Sequence, residues 1–284
     1  MTIPVSVYLI VFNCDHEVAN ALESVREWAD EIVCVDSFST DNTVAVCERF
    51  GATVYKRAWE GYSPQLRYAE SVCKNDWVLR IDADETVSPE LQAELQALFA
   101  GGVAPSDAVS GYKTRRRNFL QKRWISGGGF YPSWHLRFFR RSRGGHILRK
   151  IHEKVKVSGN VGKLQGCLDH WCWQQDFEIW ENFLQYARLE AEHITERGQR
   201  VHFWNLTYLP VGNFLRRFFF RGAWKQGTFG AVTSLRHACE QMVRLLMAWE
   251  IQNRAFLETP DATYLSARRP KKEVKTEDSI SLSR

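Results

Sequence analysis

Several patterns that would assign a chain to a class at once are absent from these 284 residues. The seven cysteines include no Cys-x-x-Cys pair, and an odd number without a framework favours a reducing compartment over a disulfide-bonded secreted fold. No apolar stretch approaches the roughly 20 residues needed to cross a bilayer. The N-terminus has neither the basic start nor the cleavage site of a signal peptide. The sequence therefore predicts a cytosolic protein.

Glycine-rich phosphate loops are also missing. No Gly-x-Gly-x-x-Gly follows the first predicted strand, and Gly-x-x-x-x-Gly-Lys-Ser/Thr occurs nowhere in the chain. A nucleotide bound by this protein would have to be held by carboxylates, a metal ion and basic side chains instead.

Acidic residues are lacking in two long stretches of the second half. Residues 108–152 contain no Asp or Glu but twelve Lys or Arg, and residues 197–239 also lack acids. The formal net charge of +5 conceals this asymmetry, because the first hundred residues are acidic. A basic second half predicts an anionic partner: a phosphorylated substrate, an acidic membrane surface or a nucleic acid.

Hydrophobic patterning predicts alternating strands and helices in the first hundred residues and a different order afterwards. The early β-α-β rhythm predicts a parallel sheet with right-handed crossovers. The predicted strands are 5–12, 31–36, 52–55, 77–81, 109–113, 134–140 and 151–157, and the predicted helices are 17–28, 43–50, 63–73, 176–197, 213–225 and 233–257.

Carboxylates follow two of the early strands. Asp36 ends the second strand, and Asp82 and Asp84 come directly after the fourth. Parallel strands bring their carboxyl ends to one edge of the sheet, so these acids are expected in one crevice. Two aspartates one residue apart can hold a hard divalent cation that takes its other ligands from water and substrate phosphates. The alternative is structural: Asp36 begins a turn, and the later acids form an acidic turn before the helix capped by Ser88.

Six short segments follow one another in a specific order along the chain. They are Val-Asp-Ser-Phe-Ser-Thr-Asp-Asn-Thr around Asp36, Asp82-Ala83-Asp84-Glu85, Gly129-Phe130-Tyr131-Pro132, Leu136-Arg137-Phe138-Phe139-Arg140-Arg141, Ile151-His152-Glu153, and His170 at the head of a helix. In this order they resemble the inverting family 2 glycosyltransferases of GT-A fold, and within that family the lipopolysaccharide core β-1,4-glucosyltransferases. The resemblance covers residues 3–256.

The resemblance implies an α/β fold with a Rossmann-like, nucleotide-sugar-binding, mostly parallel sheet flanked by helices and followed by a C-terminal helical extension. Residues 1–200 would form the GT-A catalytic domain and residues 201–258 the helical extension. The remaining residues, 259–284, are polar and charged without periodicity, which predicts a disordered tail.

The resemblance also implies roles for individual residues. Asp36 would contact the uridine, Asp82 and Asp84 would hold Mg²⁺ or Mn²⁺ against the sugar diphosphate, and Glu153 would be the catalytic base. In the alternative interpretation, Glu153 simply pairs with a neighbouring lysine. Arg67 would either neutralise the diphosphate or lie exposed on a helix.

His170 is interpreted either as a metal or phosphate contact or as a packed histidine beside two tryptophans.

Three positions depart from the family pattern: Phe38 stands where relatives usually have Gly, Arg67 is displaced by one position, and Ser133 replaces a common Asp. The last departure bears on acceptor recognition.

The function implied is metal-dependent transfer of glucose from UDP-glucose to a heptose of the lipopolysaccharide inner core. One alternative is the same chemistry on another surface polysaccharide or lipid-linked acceptor, and another is a basic nucleic-acid-binding protein. The Arg- and Phe-rich residues 213–225 resemble an interfacial helix, which predicts peripheral attachment to the anionic inner face of the cytoplasmic membrane. The alternative is a helix packed on the catalytic domain.

Overall fold

The computed structural model describes residues 1–102, 105–120, 122–148, 154–173 and 178–259. Its strands are β1 Ile3–Val11, β2 Ala29–Asp36, β3 Thr53–Lys56, β4 Trp77–Arg80, β5 Glu85–Val87, β6 Val109–Leu120, β7 Arg123–Trp124, β8 Ser133–Arg140, β9 Gly144–Ile147, β10 Lys154–Val157 and β11 Asn160–Trp173. Its α-helices are α1 Asp15–Glu23, α2 Thr43–Arg49, α3 Tyr62–Val72, α4 Pro89–Leu98, α5 Glu178–Glu196, α6 Phe203–Leu215, α7 Gly227–Gln252 and α8 Arg254–Glu258.

One large mixed sheet organises the described residues. Its strand order is β3-β2-β1-β4-β8-β6-β11-β5, with β7 paired to β6, while β9 and β10 form a separate hairpin. The first four strands are parallel, as the early β-α-β pattern predicts, and β11 runs parallel to β6. The α/β fold class, with helices flanking a mostly parallel sheet and further helices at the C-terminus, is confirmed.

Both faces of the parallel part are covered, which explains its nearly continuous apolar strands. Alternate residues of a strand point to opposite faces. Val7 and Leu79 lie in a core shared with α1 and α4, whereas Tyr8 and Val78 lie in a second core with α3. By the same alternation, Arg80 belongs to the α3 side of the sheet.

The last helices form a core of their own. Ala191 of α5, Leu245 of α7, and Leu206 and Leu209 of α6 belong to one apolar cluster. The predicted domain boundary at residue 200 falls between α5 and α6, inside this cluster. The predicted disordered tail lies outside the described residues, apart from residue 259.

Four local predictions were wrong in detail. The helix predicted over 17–28 ends at Glu23, because the Ser24 hydroxyl donates to the carbonyl of Ala21 and accepts from the amide of Val87. The strand predicted over 109–113 continues to residue 120. The long strand β11 was not predicted, and it contains His170, which therefore does not head a helix.

The helix predicted over 213–225 is the fourth difference. It begins ten residues earlier, as α6, and contains Pro210. A π-helical turn follows over Arg216–Phe220 and a 3₁₀ turn over Ala223–Gln226. Packing of α6 on α5 and α7 overrides the breaking tendency of Pro210, as tertiary contacts often do.

No helix within the described ranges has the length and apolar character needed to span a membrane. Cys34, Cys47 and Cys73 are buried free thiols, and Cys14 is partly buried.

Candidate active site

The sheet has a topological switch point at β1, because the strands that follow β1 in the chain are added first on one side of it and then on the other. Strands β2 and β3 lie on one side of β1, and β4 lies on the other. In open α/β sheets this switch point, at the carboxyl ends of the strands, is where ligands bind. Asp36 pairs in register with Val11 at the end of β1, and Asp82 follows β4 by two residues. The structure therefore places both aspartates at this edge, one on each side of β1.

Asp36 is fully buried and is held by the turn that follows it. Its carboxylate accepts from the amide of Ser39, at 3.1 Å, and from the Ser39 hydroxyl. Within this turn, between Asp36 and Ser39, Phe38 has φ 66° and an exposed ring. This left-handed conformation favours glycine and costs a phenylalanine of order 1 kcal/mol. The backbone conformation would therefore suit a glycine at this position better.

Gln65 of α3 adds a polar group beside that turn. Its side-chain amide donates to the Ser37 hydroxyl at 3.0 Å and to the Arg57 carbonyl at 3.0 Å. Its carbonyl oxygen is buried and has no hydrogen-bond partner among the described residues. A buried acceptor without a partner is costly, so this oxygen is a candidate contact for a bound ligand's donor.

Two arginines form ion pairs with the carboxylate of Asp82. Arg80 approaches one oxygen at 2.8 Å and Arg137 the other at 2.8 Å. Burial alone would raise the pKa of Asp82, but the charges of Arg137 and Arg80 outweigh it and hold that pKa well below its usual range. Asp82 is therefore ionised and fixed in position at neutral pH.

Glu85 completes this cluster from β5. Its carboxylate is fully buried, lies 3.0 Å from Arg137 and 3.4 Å from Arg116, and accepts the amide of Asp82 at 3.0 Å. These contacts make Glu85 a supporting partner of the site. Within this cluster the three arginines outnumber the two carboxylates by one charge.

Asp84 meets His170. The Asp84 carboxylate lies 3.1 Å from Nε2 of His170, and Nδ1 of the same ring lies 2.9 Å from the side-chain oxygen of Asn118. With the Asn118 amide assigned so that its oxygen faces the ring, Nδ1 donates to it, and the neutral tautomer directs an Nε2 lone pair towards Asp84. Two facing acceptors require a shared positive charge, either a proton on Nε2 or a metal ion bound by both.

This pair fits a divalent cation. Carboxylate oxygen and imidazole nitrogen are ordinary ligands of Mn²⁺, and an oriented Nδ1–H bond is the usual support of a metal-binding histidine. Within the described residues, no group of three or more His, Cys, Asp or Glu side chains forms a metal cluster. A cation here would take its remaining ligands from water and substrate phosphate. Asp82 could join only by changing its contacts with Arg80 and Arg137.

Of the two remaining predicted site residues, Arg67 lies within the described part of the chain. Arg67 is exposed on α3, beside a cavity of about 470 Å³ that Glu70, His146 and Lys156 also line. Glu153, the predicted base, lies outside the described residues, as does His152. The Ser133 hydroxyl lies 2.7 Å from Nε2 of His135, whose pKa falls to about 3 because of burial and the nearby Arg137.

Sequence reasoning missed the roles of Arg80, Asn118 and Arg137. A signal was present for Arg137, because it stands inside the apolar run Leu136 to Phe139, where a charged side chain must find a buried partner. No comparable signal marks Asn118, whose contact with His170 depends on pairing between β6 and β11.

The basic tract, residues 108–152, is partly engaged: four of its twelve Lys or Arg side chains form ion pairs among the described residues. Such pairing leaves less free positive charge for a nucleic acid than the sequence suggests. The contacts are Arg116 with Glu85, Arg117 with Asp169 at 2.8 Å, Arg137 with Asp82, Arg140 with Asp107 at 2.9 Å, and Arg115 over the rings of Tyr131 and Trp134.

Comparison with known proteins identifies relatives along most of the chain. The family model described as Glycosyl transferase family 2 matches residues 6–174. An uncharacterized glycosyltransferase of Rickettsia conorii is 30% identical over 86% of this chain and 89% of its own. Lipopolysaccharide core biosynthesis glycosyltransferase LpsC of Rhizobium meliloti is 32% identical over 83% of this chain and 88% of its own.

Among solved structures, glucosyl-3-phosphoglycerate synthase of Mycobacterium tuberculosis, in complex with Mn²⁺, UDP and glucosyl-3-phosphoglycerate, is 22% identical. It covers 40% of this chain and 44% of its own, with a TM-score of 0.33. The family model and the two sequence relatives, by contrast, each span more than half of this chain. The chain belongs to glycosyltransferase family 2.

Proposed function

We propose that the protein is a metal-dependent, inverting hexosyltransferase that transfers glucose from UDP-glucose to a heptose of the lipopolysaccharide inner core. The observation that carries the proposal is the Asp84–His170 pair, 3.1 Å apart at the switch-point edge of the sheet and oriented by Asn118. A Mg²⁺ or Mn²⁺ ion bound there would neutralise charge on the diphosphate leaving group.

The donor diphosphate has a matching environment in the arginine cluster. Arg80, Arg116 and Arg137 outnumber Asp82 and Glu85 by one charge. Arginines held in place by carboxylates are already oriented before a phosphate arrives, which lowers the cost of binding. Asp36 and the unpaired oxygen of Gln65 supply acceptors for donor groups of the nucleoside.

Glu153 is assigned to the acceptor side as general base. The acceptor hydroxyl must lose a proton as it attacks the anomeric carbon, and one carboxylate within hydrogen-bond reach is sufficient. A single displacement inverts that carbon, so an α-linked donor gives a β-linked product without a covalent enzyme intermediate. The named function of the LpsC relative supports a lipopolysaccharide-core acceptor.

A lipid-linked acceptor would be presented at the inner face of the cytoplasmic membrane, so we place the enzyme there as a peripheral protein. Its partners are then a nucleotide sugar and a membrane-borne saccharide. We propose no nucleic-acid partner, because the chain belongs to glycosyltransferase family 2.

Thermal unfolding with nucleotides tests the donor site. A ligand at 100 times its Kd adds about 2.7 kcal/mol to the free energy of unfolding, which corresponds to roughly 5 °C or more in Tm for a chain of this size. We expect a rise with UDP and UDP-glucose that depends on Mn²⁺ and is smaller with GDP-mannose. Absence of any nucleotide effect, together with salt-sensitive oligonucleotide binding, would overturn the proposal.

Glu153→Gln should lower the turnover number for sugar transfer by about 10²–10⁴-fold, the usual contribution of a general base. Binding of UDP-glucose with Mn²⁺ should stay unchanged, because the base acts on the acceptor. Glu250→Gln, at an exposed position of α7, serves as the matched control. Unchanged turnover in Glu153→Gln would remove this residue from the base role.

A further inference from the structure

Helix α6 and the turns after it present a row of uncovered apolar side chains. Trp204, Tyr208, Val211 and Leu215 follow one another at intervals of three or four residues, so they lie on one stripe of the helix. They are exposed, Trp204 by 71%, and the row continues into the turns, where Phe220 is 85% exposed. The aromatic face consists of Phe203, Trp204, Tyr208, Val211, Leu215, Phe219, Phe220 and Trp224.

The opposite side of α6 is already occupied. Leu206 and Leu209 pack in the cluster with α5 and α7, which fixes the rotation of the helix about its axis. At 100° per residue, these two leucines lie about 100° to 180° from the individual residues of the stripe. Internal packing therefore does not account for the aromatic face, and a patch of this kind on a soluble protein marks an interaction site.

Charge around the aromatic face indicates its partner. Residues 197–239 contain no Asp or Glu. Arg216, Arg221 and Lys225 are all exposed and interleaved with Phe219, Phe220 and Trp224. Exposed tryptophan, tyrosine and phenylalanine with basic neighbours and no acids suit the boundary between anionic headgroups and acyl chains.

We propose that the aromatic face docks on an anionic membrane surface. The helix would lie in the plane of the interface, with its aromatic rings among the acyl-chain ends and its basic side chains among the headgroups. This differs from the helix expected over residues 213–225, since Phe214 and Phe218 stack on each other, 5.6 Å between ring centroids, and are only partly exposed.

The docked segment is bonded to the loop of residues 127–132, which contains the family motif Gly129-Phe130-Tyr131-Pro132. Arg217 donates to the Gly128 carbonyl at 2.6 Å, and its guanidinium lies 5.3 Å from the Phe130 ring centroid. Gln226 accepts the amide of Gly127 at 3.1 Å. A side chain at Gly127 would approach the backbone of Ala223 to 2.9 Å, so glycine permits this contact.

Membrane docking would therefore fix the position of this loop relative to the lipid surface. The loop leads directly into β8, the strand that carries Arg137. The inference rests on the proposed function for the membrane-borne acceptor and deepens it by naming the surface that docks. The docking itself is independent of the donor and of the reaction.

Vesicle flotation tests the docking. We expect the full-length protein to float with vesicles of phosphatidylethanolamine and phosphatidylglycerol, and much less with phosphatidylcholine alone. Replacing Trp204, Val211 and Phe220 together by serine should lower the vesicle partition coefficient by more than about tenfold. The matched control replaces three exposed leucines outside the aromatic face by serine, at Leu184, Leu189 and Leu246, and should float like the unsubstituted protein.

Two further measurements separate the outcomes. The aromatic-face variant should keep its Tm and its Mn²⁺-dependent UDP binding in solution, so failure of the donor site and failure of docking are distinguishable. Equal flotation of this variant and the unsubstituted protein would overturn the docking proposal. So would a stable dimer in sedimentation that does not bind vesicles and that the same serine substitutions dissociate, because the aromatic face would then join two copies of the chain.

Discussion

Asp84→Asn is expected to lower the turnover number for sugar transfer by about 10³-fold while the protein remains folded. The loss corresponds to about 4 kcal/mol of transition-state stabilisation, the scale of a metal ion acting on a developing anion. Asparagine keeps an oxygen at this position but removes the negative charge that would hold the cation beside His170.

The fold should survive because the backbone fixes Asp84 independently of its side chain. Its carbonyl accepts the amide of Trp171 at 2.9 Å, a main-chain bond that the substitution leaves in place. The carboxylate is one-third exposed, and among the described residues its ion pair is with His170, whereas that of Asp82 belongs to a network of arginines. A change in Tm of less than about 2 °C is therefore expected.

Metal binding should be measured in these variants as well as turnover. The rise in Tm that Mn²⁺ gives in the presence of UDP should fall in Asp84→Asn and in His170→Gln. Asp107→Asn is the control, because its carboxylate is 83% exposed and pairs with Arg140 away from the switch point. Full activity of Asp84→Asn, or activity that survives metal chelation, would contradict the assignment.

The parallel half of the fold was predictable from the sequence because its constraints are local. Buried parallel strands need apolar residues on both faces, and helix starts such as Ser88-Pro89 carry their own capping signal. The Ser88 hydroxyl does accept the amide of Leu91, at 3.2 Å. The location of the switch-point carboxylates could be predicted from the same pattern, because the carboxyl ends of parallel strands meet at one edge of the sheet.

Strand β11 could not be recognised in this way. It contains Gly162 and Gly166 among polar residues, which locally indicates turns rather than a strand. Gly166 is required by a distant element: a side chain there would come within 2.3 Å of the Leu91 backbone in α4. His170 was consequently expected at a helix start, although pairing with β5 and β6 places it in the sheet.

The arginine cluster was beyond sequence reasoning for a related reason. Arg137 and Glu85 are separated by 52 positions, and their contact depends on where β5 and β8 lie in the sheet. A buried arginine predicts that some carboxylate is near but not which one. The structure supplies this pairing, and it changes the interpretation of Asp82 from a free metal ligand to a residue held by two cations.

Arg137→Leu is expected to destabilise the protein by about 3–5 kcal/mol, the cost of breaking a buried ion network from one side. The Arg137 side chain is 6% exposed and bridges Asp82 and Glu85. The two carboxylates raise its pKa more than burial lowers it, so the guanidinium is charged throughout the accessible pH range. Among the described residues, leucine would leave the fully buried Glu85 with one cationic partner, Arg116 at 3.4 Å.

Urea unfolding at several pH values measures this effect and its origin. The pKa of Asp82 is depressed in the folded state, so its ion pairs stabilise the protein above the ordinary aspartate pKa of about 4 and lose that effect as the pH falls further. The difference between Arg137→Leu and the unsubstituted protein should therefore be full at pH 7 and smaller at pH 3.

Two companion variants identify the interaction. Arg137→Lys should lose less stability than Arg137→Leu, because an ammonium keeps the charge but cannot span both carboxylates as a guanidinium does. Combining Arg137→Leu with Glu85→Gln should cost less than the sum of the single changes, since removing the stranded charge relieves the first substitution. Additive losses would show that Arg137 and Glu85 act separately, and the cluster would then be a set of independent contacts rather than a preorganised site for a diphosphate.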